Sequence, residues 1–278
     1  MTTQKSPDMD LVDTHCHIQS AGLSEGERIT RELWAKSPEL SGEDLIRAAV
    51  EAGVTRMVCV GCDLQDSRLA VEFAANHENC WASIGIHPHE AQHYVSGGRK
   101  IPEFAALATR TEVIAVGETG LDYYYEHSSR SDQIRILEFQ IELALEAGLP
   151  MIFHVREAFD DFWPVFDGYE GVRGVLHSFT DSQENLTKAL DRGLHIGVNG
   201  IATFTKNPDQ LEVYRSVPLN RLLLETDAPF LTPTPYRGKI NEPKRLGAVA
   251  DFLAELRGED RQKLAEATTA NARELFGI

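Results

Sequence analysis

Long apolar runs are missing from this 278-residue sequence. No stretch of about 18 uninterrupted apolar residues occurs, and the first ten residues, MTTQKSPDMD, contain no apolar core that could serve as a signal peptide. Low-complexity segments are also missing, and 42% hydrophobic with 25% charged residues is typical of a globular protein. These absences predict a cytoplasmic protein that does not enter a membrane.

Positive charge is scarce. The chain has 27 Lys and Arg against 43 Asp and Glu, which gives a formal net charge of −16. A protein that holds nucleic acid through a broad surface needs an excess of cations to neutralise phosphates. The composition therefore argues against a tight nucleic-acid-binding module. It is compatible with an enzyme that meets a strand end at a metal site and contacts phosphates through a few local cations.

Cysteine is also rare, and the four cysteines do not form a disulfide framework. Cys16, Cys59, Cys62 and Cys80 each lie inside or beside an apolar, strand-like run, which favours reduced thiols. Cys59 and Cys62 form a C-x-x-C motif, but no second C-x-x-C completes a zinc site and the flanking sequence does not indicate a thioredoxin-like fold. We interpret all four as strand-packing residues.

Eight short runs rich in apolar and β-branched residues alternate with segments of helical periodicity. This alternation predicts parallel strands with crossover helices, closed into a (β/α)8 TIM barrel; an open doubly wound sheet is the alternative. Closure is favoured because almost every run ends in His, Asp, Glu or Arg, where barrel enzymes place their chemistry. We predict a single domain over residues 1–278. The predicted strands are residues 11–18, 55–62, 80–87, 113–120, 150–156, 174–179, 194–201 and 222–227.

Polar residues at these strand ends predict a binuclear metal site. Asp13, His15 and His17 alternate along strand one, so we expect their side chains to share the interior face. Two neighbouring divalent cations require neutral imidazoles, carboxylates that offset charge, and one bridging carboxylate. Burying so many ionisable groups without partners would be costly, which disfavours purely structural roles. We assign His15, His17 and Asp227 to one metal, His154 and His177 to the other, and Glu118 to the bridge.

Seven segments then point to a known family. They are DTHCHI, GIHPH, VGETGLDYYY, IFHVREA, LHSFTDS, ETDAPFLTP and NEPKR, spread from residue 13 to residue 245. In this order they resemble the TatD family of metal-dependent deoxyribonucleases, within the wider hydrolase barrels related to amidohydrolases. The resemblance implies the same six metal ligands. Many amidohydrolase barrels bridge their metals with a carboxylated lysine, whereas the matching strand here offers Glu118.

The same resemblance suggests further site residues. His87, in GIHPH, would contact a substrate phosphate or a transient third metal, or would support or pack against the ligands. Glu225 lies two positions before Asp227 and shares its face, so it would orient a metal ligand or assist proton transfer. Asp13 is expected to form a hydrogen bond near the ligands rather than to bind metal directly.

Candidate substrate contacts lie on the predicted loops at the barrel mouth. A flipped or terminal base could stack on one of the tyrosines of the DYYY segment, with loop packing as the alternative. Cations after strands five and eight could receive phosphates. Residues 19–40, after strand one, form an elongated loop that either covers the site as a lid or packs on the helical rim. The residues concerned are Tyr123, Tyr124, Tyr125, Arg156, Arg237, Lys239, Lys244, Arg245 and, in the loop, Trp34.

The resemblance implies a DNase that uses Mg, Mn or Zn and acts from strand ends, as a 3′ to 5′ exonuclease on single-stranded DNA. A metal-bridging hydroxide would attack phosphorus, with Asp227 as the base and His87 or an arginine on the nonbridging oxygen. Hydrolysis of an amide or ester by the same site is the alternative, because fold does not fix substrate. A non-enzymatic metal-binding protein is disfavoured because all six ligands are present. We expect a monomer without an obligate protein partner.

The acidic composition generates a first prediction. Because few cations are available to hold phosphates, a single-stranded oligonucleotide should bind weakly when divalent metal is removed with a chelator. Fluorescence anisotropy of a labelled oligonucleotide, with and without metal, measures this difference. Equally tight binding in both conditions would contradict the prediction.

Overall fold

Eight parallel strands form one sheet in which chain neighbours are also spatial neighbours. A computed structural model describes residues 10–95, 102–125 and 127–278. Residues 1–9, where the sequence shows no signal-peptide core, lie outside these ranges. The strands are β1 (Leu11–Cys16), β2 (Val54–Val60), β3 (Cys80–Ile84), β4 (Val113–Asp122), β5 (Met151–Arg156), β6 (Gly174–Leu176), β7 (His195–Val198) and β8 (Leu222–Leu224).

The sheet closes where the chain beyond β8 meets β1. The backbone N–H of Asp227 donates to the carbonyl oxygen of His15 at 2.8 Å, and the N–H of His17 donates to that of Ala228 at 2.7 Å. One layer earlier, the hydroxyl of Thr14 donates to the carbonyl oxygen of Leu224 at 3.0 Å. These bonds confirm the predicted (β/α)8 barrel and exclude the open doubly wound sheet.

Helices follow the strands around the barrel and have well-formed ends. Ser41 and Asp44 form a capping box at the first turn of α2, and Gly148 ends α6 in the left-handed conformation. Among the described residues, no helix is long and apolar enough to span a membrane. The described helices are α1 (Arg28–Trp34), α2 (Gly42–Glu51), α3 (Leu64–Ala75), α4 (Ala91–Val95), α5 (Pro102–Leu107), α6 (Arg130–Ala147), α7 (Phe159–Asp167), α8 (Gln183–Asp191), α9 (Pro208–Ser216), α10 (Leu246–Arg257) and α11 (Arg261–Phe276).

Apolar packing on the outer face of β5 determines which of its side chains point into the barrel. Phe153 contacts Phe162 and Phe166 of α7, with ring centroids 5.3 and 5.8 Å apart. Because successive side chains of a strand point to opposite faces, His154 and Arg156 point into the barrel. The hydrophobic effect of this outer layer therefore sets which residues face the site.

A second apolar cluster fills the interior beneath the site. Val58, Ile152, Val175 and Leu223 are buried together. Three of them precede candidate site residues by two positions on their own strands, so they form the next layer toward the N-terminal ends. The barrel interior below the site is therefore largely apolar, with His195 buried beside Val175 in the same layer.

Six strands end earlier than the sequence predicts, and in two of them, β6 and β8, the chain turns away soon after the strand. The predicted strands 174–179 and 222–227 stop at Leu176 and Leu224. Ser178 and Asp227 have φ angles of 50° and 56°, which turn the chain out of the sheet. The alternation of apolar and polar residues does not reveal this turn, because the alternation continues through the residues that follow the strands.

The elongated loop after strand one is present, and it contains α1. Trp34 is buried, and its indole N–H donates to the carbonyl oxygen of His17 at 2.9 Å. The side-chain amide of Gln19 donates to the carbonyl oxygen of Val60 at 2.9 Å. These bonds tie the segment to β1 and β2, so Trp34 is a buried contact of the backbone at His17.

Gly120 generates a prediction about this scaffold. Its φ is 145°, and a Cβ there would lie 1.9 Å from the carbonyl oxygen of His154. We expect Gly120→Ala to lower the free energy of unfolding by about 2 to 5 kcal/mol through backbone strain and overpacking. Urea denaturation measures the loss.

Gly148→Ala is the matched control. Its φ is 68°, but a Cβ there meets no atom within 4 Å, so only the left-handed conformation is penalised, by about 1 to 2 kcal/mol. Equal losses in the two variants would show that the contact with His154 has no energetic role.

Candidate metal centre

Glu118 of β4 stands at the middle of the candidate site. Its Oε1 lies 2.8 Å from Nδ1 of His154, 3.0 Å from Nε2 of His177 and 3.6 Å from Nε2 of His87. Its Oε2 lies 3.4 Å from Nε2 of His15. The two carboxylate oxygens thus face imidazoles from both predicted ligand sets, which is the geometry that a bridging carboxylate needs.

The second group of candidate ligands comes together where the barrel closes. Nε2 of His15 and Nε2 of His17 lie 3.2 Å apart. Oδ1 of Asp227 lies 3.4 Å from the His17 nitrogen and 3.7 Å from the His15 nitrogen. Zinc–nitrogen bonds are about 2.0 to 2.1 Å long, so a cation between these atoms would contact all three with small movements.

All six predicted ligands therefore belong to one connected cluster. In each of four groups, one ligand atom per residue lies within 4.8 Å of the others, so that the group could hold a divalent ion. Imidazole nitrogens and carboxylate oxygens are donors suited to Mg, Mn and Zn between them. The groups are His15–Glu118–His177, His15–His17–Asp227, His87–Glu118–His154 and His17–Cys62–Glu118.

Cys62 in this cluster was missed by the sequence interpretation, which assigned it to strand packing. It directly follows β2, and its Sγ lies 3.9 Å from Nδ1 of His17. The available signal was its position, because β2 otherwise ends without a polar side chain. Its neighbour in the motif, Cys59, points away and is fully buried in the outer core.

Backbone and side-chain acceptors fix the orientation of the histidines. Nδ1 of His17 lies 2.9 Å from the carbonyl oxygen of Val60, which directs Nε2 toward the cluster. Oε1 of Glu225 lies 3.2 Å from Nδ1 of His177 and also accepts from the backbone N–H of Ser178 at 2.6 Å. Glu225 therefore lies beside a candidate ligand, and its role in orienting that ligand or assisting proton transfer stays a prediction.

Asp122 is a second residue that the sequence interpretation missed. Its Oδ2 lies 3.0 Å from Nε2 of His154 and 3.1 Å from Nε2 of His89. Burial alone would raise the pKa of Asp122, but the hydrogen bonds to these histidines outweigh it and lower the pKa. Its position two and four residues after Gly120 and Glu118 on the same strand face was the available signal.

The charges of the protein groups are strongly coupled. Burial alone would raise the pKa of Glu118, but the surrounding imidazoles, His177 foremost, hold it well below its usual range. Burial lowers the pKa of His87 well below its usual value, which keeps that imidazole neutral at pH 7. Burial also opposes the charged form of His17, yet the contact with Asp227 prevails and raises its pKa to about 9. Metal binding would displace that proton.

Asp13 does not share the direction of His15, contrary to the expectation from alternation. The pairing of β1 with β2 is irregular between Asp13 and Cys16. Oδ1 of Asp13 accepts from the backbone N–H of Thr226 at 2.9 Å and from that of His15 at 3.3 Å. Burial raises the pKa of Asp13 to about 7. The residue therefore supports the backbone of a candidate ligand and does not reach the metal cluster.

The three tyrosines have different environments. Tyr123, the first one, is buried: its hydroxyl donates to Asp161 at 2.7 Å and the guanidinium of Arg130 lies 4.1 Å from its ring centroid. Tyr124 and Tyr125 are 53% and 51% exposed. Tyr124 and Tyr125 are thus exposed candidates for stacking on a base, whereas Tyr123 is packed inside the protein.

The predicted cations also have different environments. Arg156 ends β5 at the barrel mouth, and Arg237 and Lys239 are exposed on the loop after β8. Arg245 is buried and pairs with Glu242 at 2.7 Å. Its charge is therefore engaged within the protein, whereas the first three remain in positions where a phosphate could approach.

The chain matches a known family of proteins. A family model described as TatD related DNase matches residues 12–277. This chain belongs to the TatD-related DNase family. The predicted resemblance is thereby confirmed, and the chain is a metal-dependent hydrolase of the TatD type whose donor set fits a divalent ion.

Relatives of this TatD-type hydrolase cover nearly its whole length. The Salmonella typhimurium protein described as the 3′-5′ ssDNA/RNA exonuclease TatD is 34% identical over 260 residues, which cover 91% of this chain and 98% of the relative. The Bacillus subtilis protein described as the uncharacterized metal-dependent hydrolase YabD is 34% identical over 270 residues, covering 96% and 99%. The crystal structure of YjjV, a TatD homologue from Escherichia coli K12, has a TM-score of 0.83 at 26% identity, covering 96% and 98%.

The contact between Glu225 and His177 generates a prediction. Glu225→Gln keeps a carbonyl oxygen for the N–H of Ser178 but removes the negative charge beside Nδ1 of His177. We expect divalent metal affinity to fall about 10- to 100-fold, because such outer contacts orient the ligand and raise its basicity. Isothermal titration of the apo protein with Zn or Mn measures the change.

The control is Glu112→Gln, just before β4 at the opposite end of the barrel. Its metal affinity should match that of the unchanged protein. If Glu225→Gln bound metal equally tightly, the orienting role of Glu225 would be wrong.

Proposed function

We propose that this chain is a divalent-metal-dependent deoxyribonuclease that removes nucleotides from the 3′ end of single-stranded DNA. The observation that carries the proposal is Glu118, whose two oxygens face imidazoles of both candidate ligand sets. The Salmonella relative, described as a 3′-5′ ssDNA/RNA exonuclease, supports the bond and the direction. The acidic composition agrees with a substrate held at its end and not along its length.

The proposed cofactor is a pair of divalent ions, Mg, Mn or Zn. Glu118 would bridge them. Four imidazoles would act as neutral ligands, and two carboxylates would offset part of the positive charge. The proposed ligands are His15, His17 and Asp227 for one ion, and His154 and His177 for the other.

When bound, the ions would supply a bridging hydroxide and positive charge for the phosphoryl oxygens. The residues of the chain then have separate tasks. Asp227 is the proposed base, because the residue lies where the barrel closes and its Oδ1 reaches the cluster. His87 is neutral at pH 7 and would donate a hydrogen bond to a nonbridging oxygen. Glu225 would hold His177 in place during the reaction.

Substrate phosphates would be received by Arg156, Arg237 and Lys239. Arg156 points inward two residues beyond His154 on β5, and the other two are exposed on the loop after β8. Tyr123 remains part of the proposed substrate region, because it lies behind the barrel mouth. The single-domain extent, monomeric state, lack of an obligate partner and cytoplasmic location stay predictions from the sequence.

Asp227→Asn tests the proposed function. We expect the rate of release of nucleotides from an oligonucleotide labelled at its 5′ end to fall about 10²- to 10⁴-fold, because the variant keeps the shape of the side chain but cannot take the proton. Gel analysis with Mg, Mn and Zn measures the rate and the direction of shortening. DNA, RNA and a small phosphodiester should be compared side by side.

The control is Asp191→Asn, an exposed residue at the end of α8, which should cleave normally. Undiminished cleavage by Asp227→Asn would refute its role as base. If the intact protein cleaves no nucleic acid with any of these metals but hydrolyses amides or esters, the amidohydrolase-like alternative is correct.

A further inference from the structure

Tyr124, Tyr125 and Arg156 form an exposed surface at the mouth of the barrel, here called the aromatic shelf. The guanidinium carbon of Arg156 lies 3.9 Å from the ring centroid of Tyr124 and 4.8 Å from that of Tyr125. The two rings meet edge to face, with centroids 4.8 Å apart. About half of each tyrosine remains open to solvent, and the ring of His127 lies parallel to that of Tyr125 with centroids 5.8 Å apart.

The aromatic shelf is attached to the metal centre through Asp122. Oδ1 of Asp122 accepts from the backbone N–H groups of Tyr124 at 3.0 Å and Tyr125 at 3.1 Å. Its Oδ2 contacts His154 and His89. One carboxylate therefore holds both a candidate metal ligand and the backbone that carries the two rings, which fixes the distance between them.

The strands place the shelf directly above the ligands. Asp122 and Arg156 are paired residues at the ends of β4 and β5. Arg156 lies two positions after His154 and so projects from the same face, one layer nearer the mouth. On the other side of the shelf, the ring of Tyr125 lies 5.5 Å from that of His89, whose ring is 4.3 Å from that of His87. The shelf is thus connected to the cluster through the ring of His89.

Half-exposed tyrosines beside a guanidinium match the chemistry of a nucleotide. A base stacks on the flat ring or on the guanidinium plane, and every base offers such a face regardless of sequence. The charge of Arg156 suits the adjoining phosphate. A base inside a duplex already has both faces stacked on its neighbours, whereas an unpaired base can turn one face to the shelf.

We propose that the aromatic shelf stacks an unpaired nucleobase near the scissile 3′ end and thereby selects single strands. This inference rests on the proposed function, since it assigns a subsite to the same centre. It moves the stacking position from Tyr123 to Tyr124 and Tyr125, and it gives Arg156 a place in the stack as well as a phosphate contact.

The test removes the base and the rings separately. Oligonucleotides carry one abasic residue at the first, second or third position from the 3′ end, and kcat/KM is measured for the intact protein and for Tyr124→Ala/Tyr125→Ala. With the intact protein, loss of the stacked base should reduce kcat/KM about 5- to 150-fold at one position, chiefly through KM. In the double variant that penalty should disappear.

Two controls separate stacking from general damage. Tyr124→Phe/Tyr125→Phe keeps the rings and should keep the penalty. Tyr169→Ala removes a tyrosine at the opposite end of the barrel and should behave as the intact protein does. If the abasic penalty is the same in the double alanine variant as in the intact protein at every position, the proposal is overturned.

A binding measurement keeps this result separate from the proposed function. Single-stranded oligonucleotides with the fluorescent base 2-aminopurine at each of the three positions are titrated with intact protein and with the double alanine variant. Ring-dependent quenching at one position supports the shelf even if no cleavage occurs, in which case only the exonuclease assignment fails. Identical fluorescence with both proteins at every position overturns the shelf, whatever the cleavage result.

Discussion

Two backbone hydrogen bonds between β1 and the segment after β8 hold the candidate centre together. They join Asp227 to His15 and His17 to Ala228, so the residues that close the barrel are the same residues that supply one ligand set. Closure and assembly of the site are therefore a single structural event. The turn at Asp227, with its positive φ, directs this carboxylate across the gap between the first and last strands.

The centre concentrates charge that the protein alone can satisfy only in part. Glu118 sits among imidazoles that lower its pKa, His177 foremost, whereas the contact with Asp227 raises the pKa of His17. Such buried groups are costly without partners. Divalent ions would replace protons on these imidazoles and provide countercharge for the carboxylates.

Support for the centre comes from residues that do not point into it. Trp34 hydrogen-bonds the carbonyl oxygen of His17, Asp13 holds the backbone of His15, and Asp122 connects His154 to the loop of tyrosines. The bonds of Trp34 and Asp122 link a ligand to a different loop or strand, and Asp13 also accepts from the backbone N–H of Thr226 beyond β8. The elongated segment after strand one thus supports the centre. The loop after β4 connects the centre to the surface that substrate would meet.

The sequence by itself determined the barrel and the six candidate ligands, because strand alternation sets which side chains share a face and parallel strand ends meet at one end of a barrel. It could not place Asp13, since an irregular register breaks the alternation, nor recognise Cys62 and Asp122 as neighbours of the ligands. Only the tertiary structure separated buried Tyr123 from exposed Tyr124 and Tyr125, and paired Arg245 with Glu242. The burial of Tyr123 depends on a contact with Asp161, which is distant in the chain, and local periodicity carries no information about such contacts.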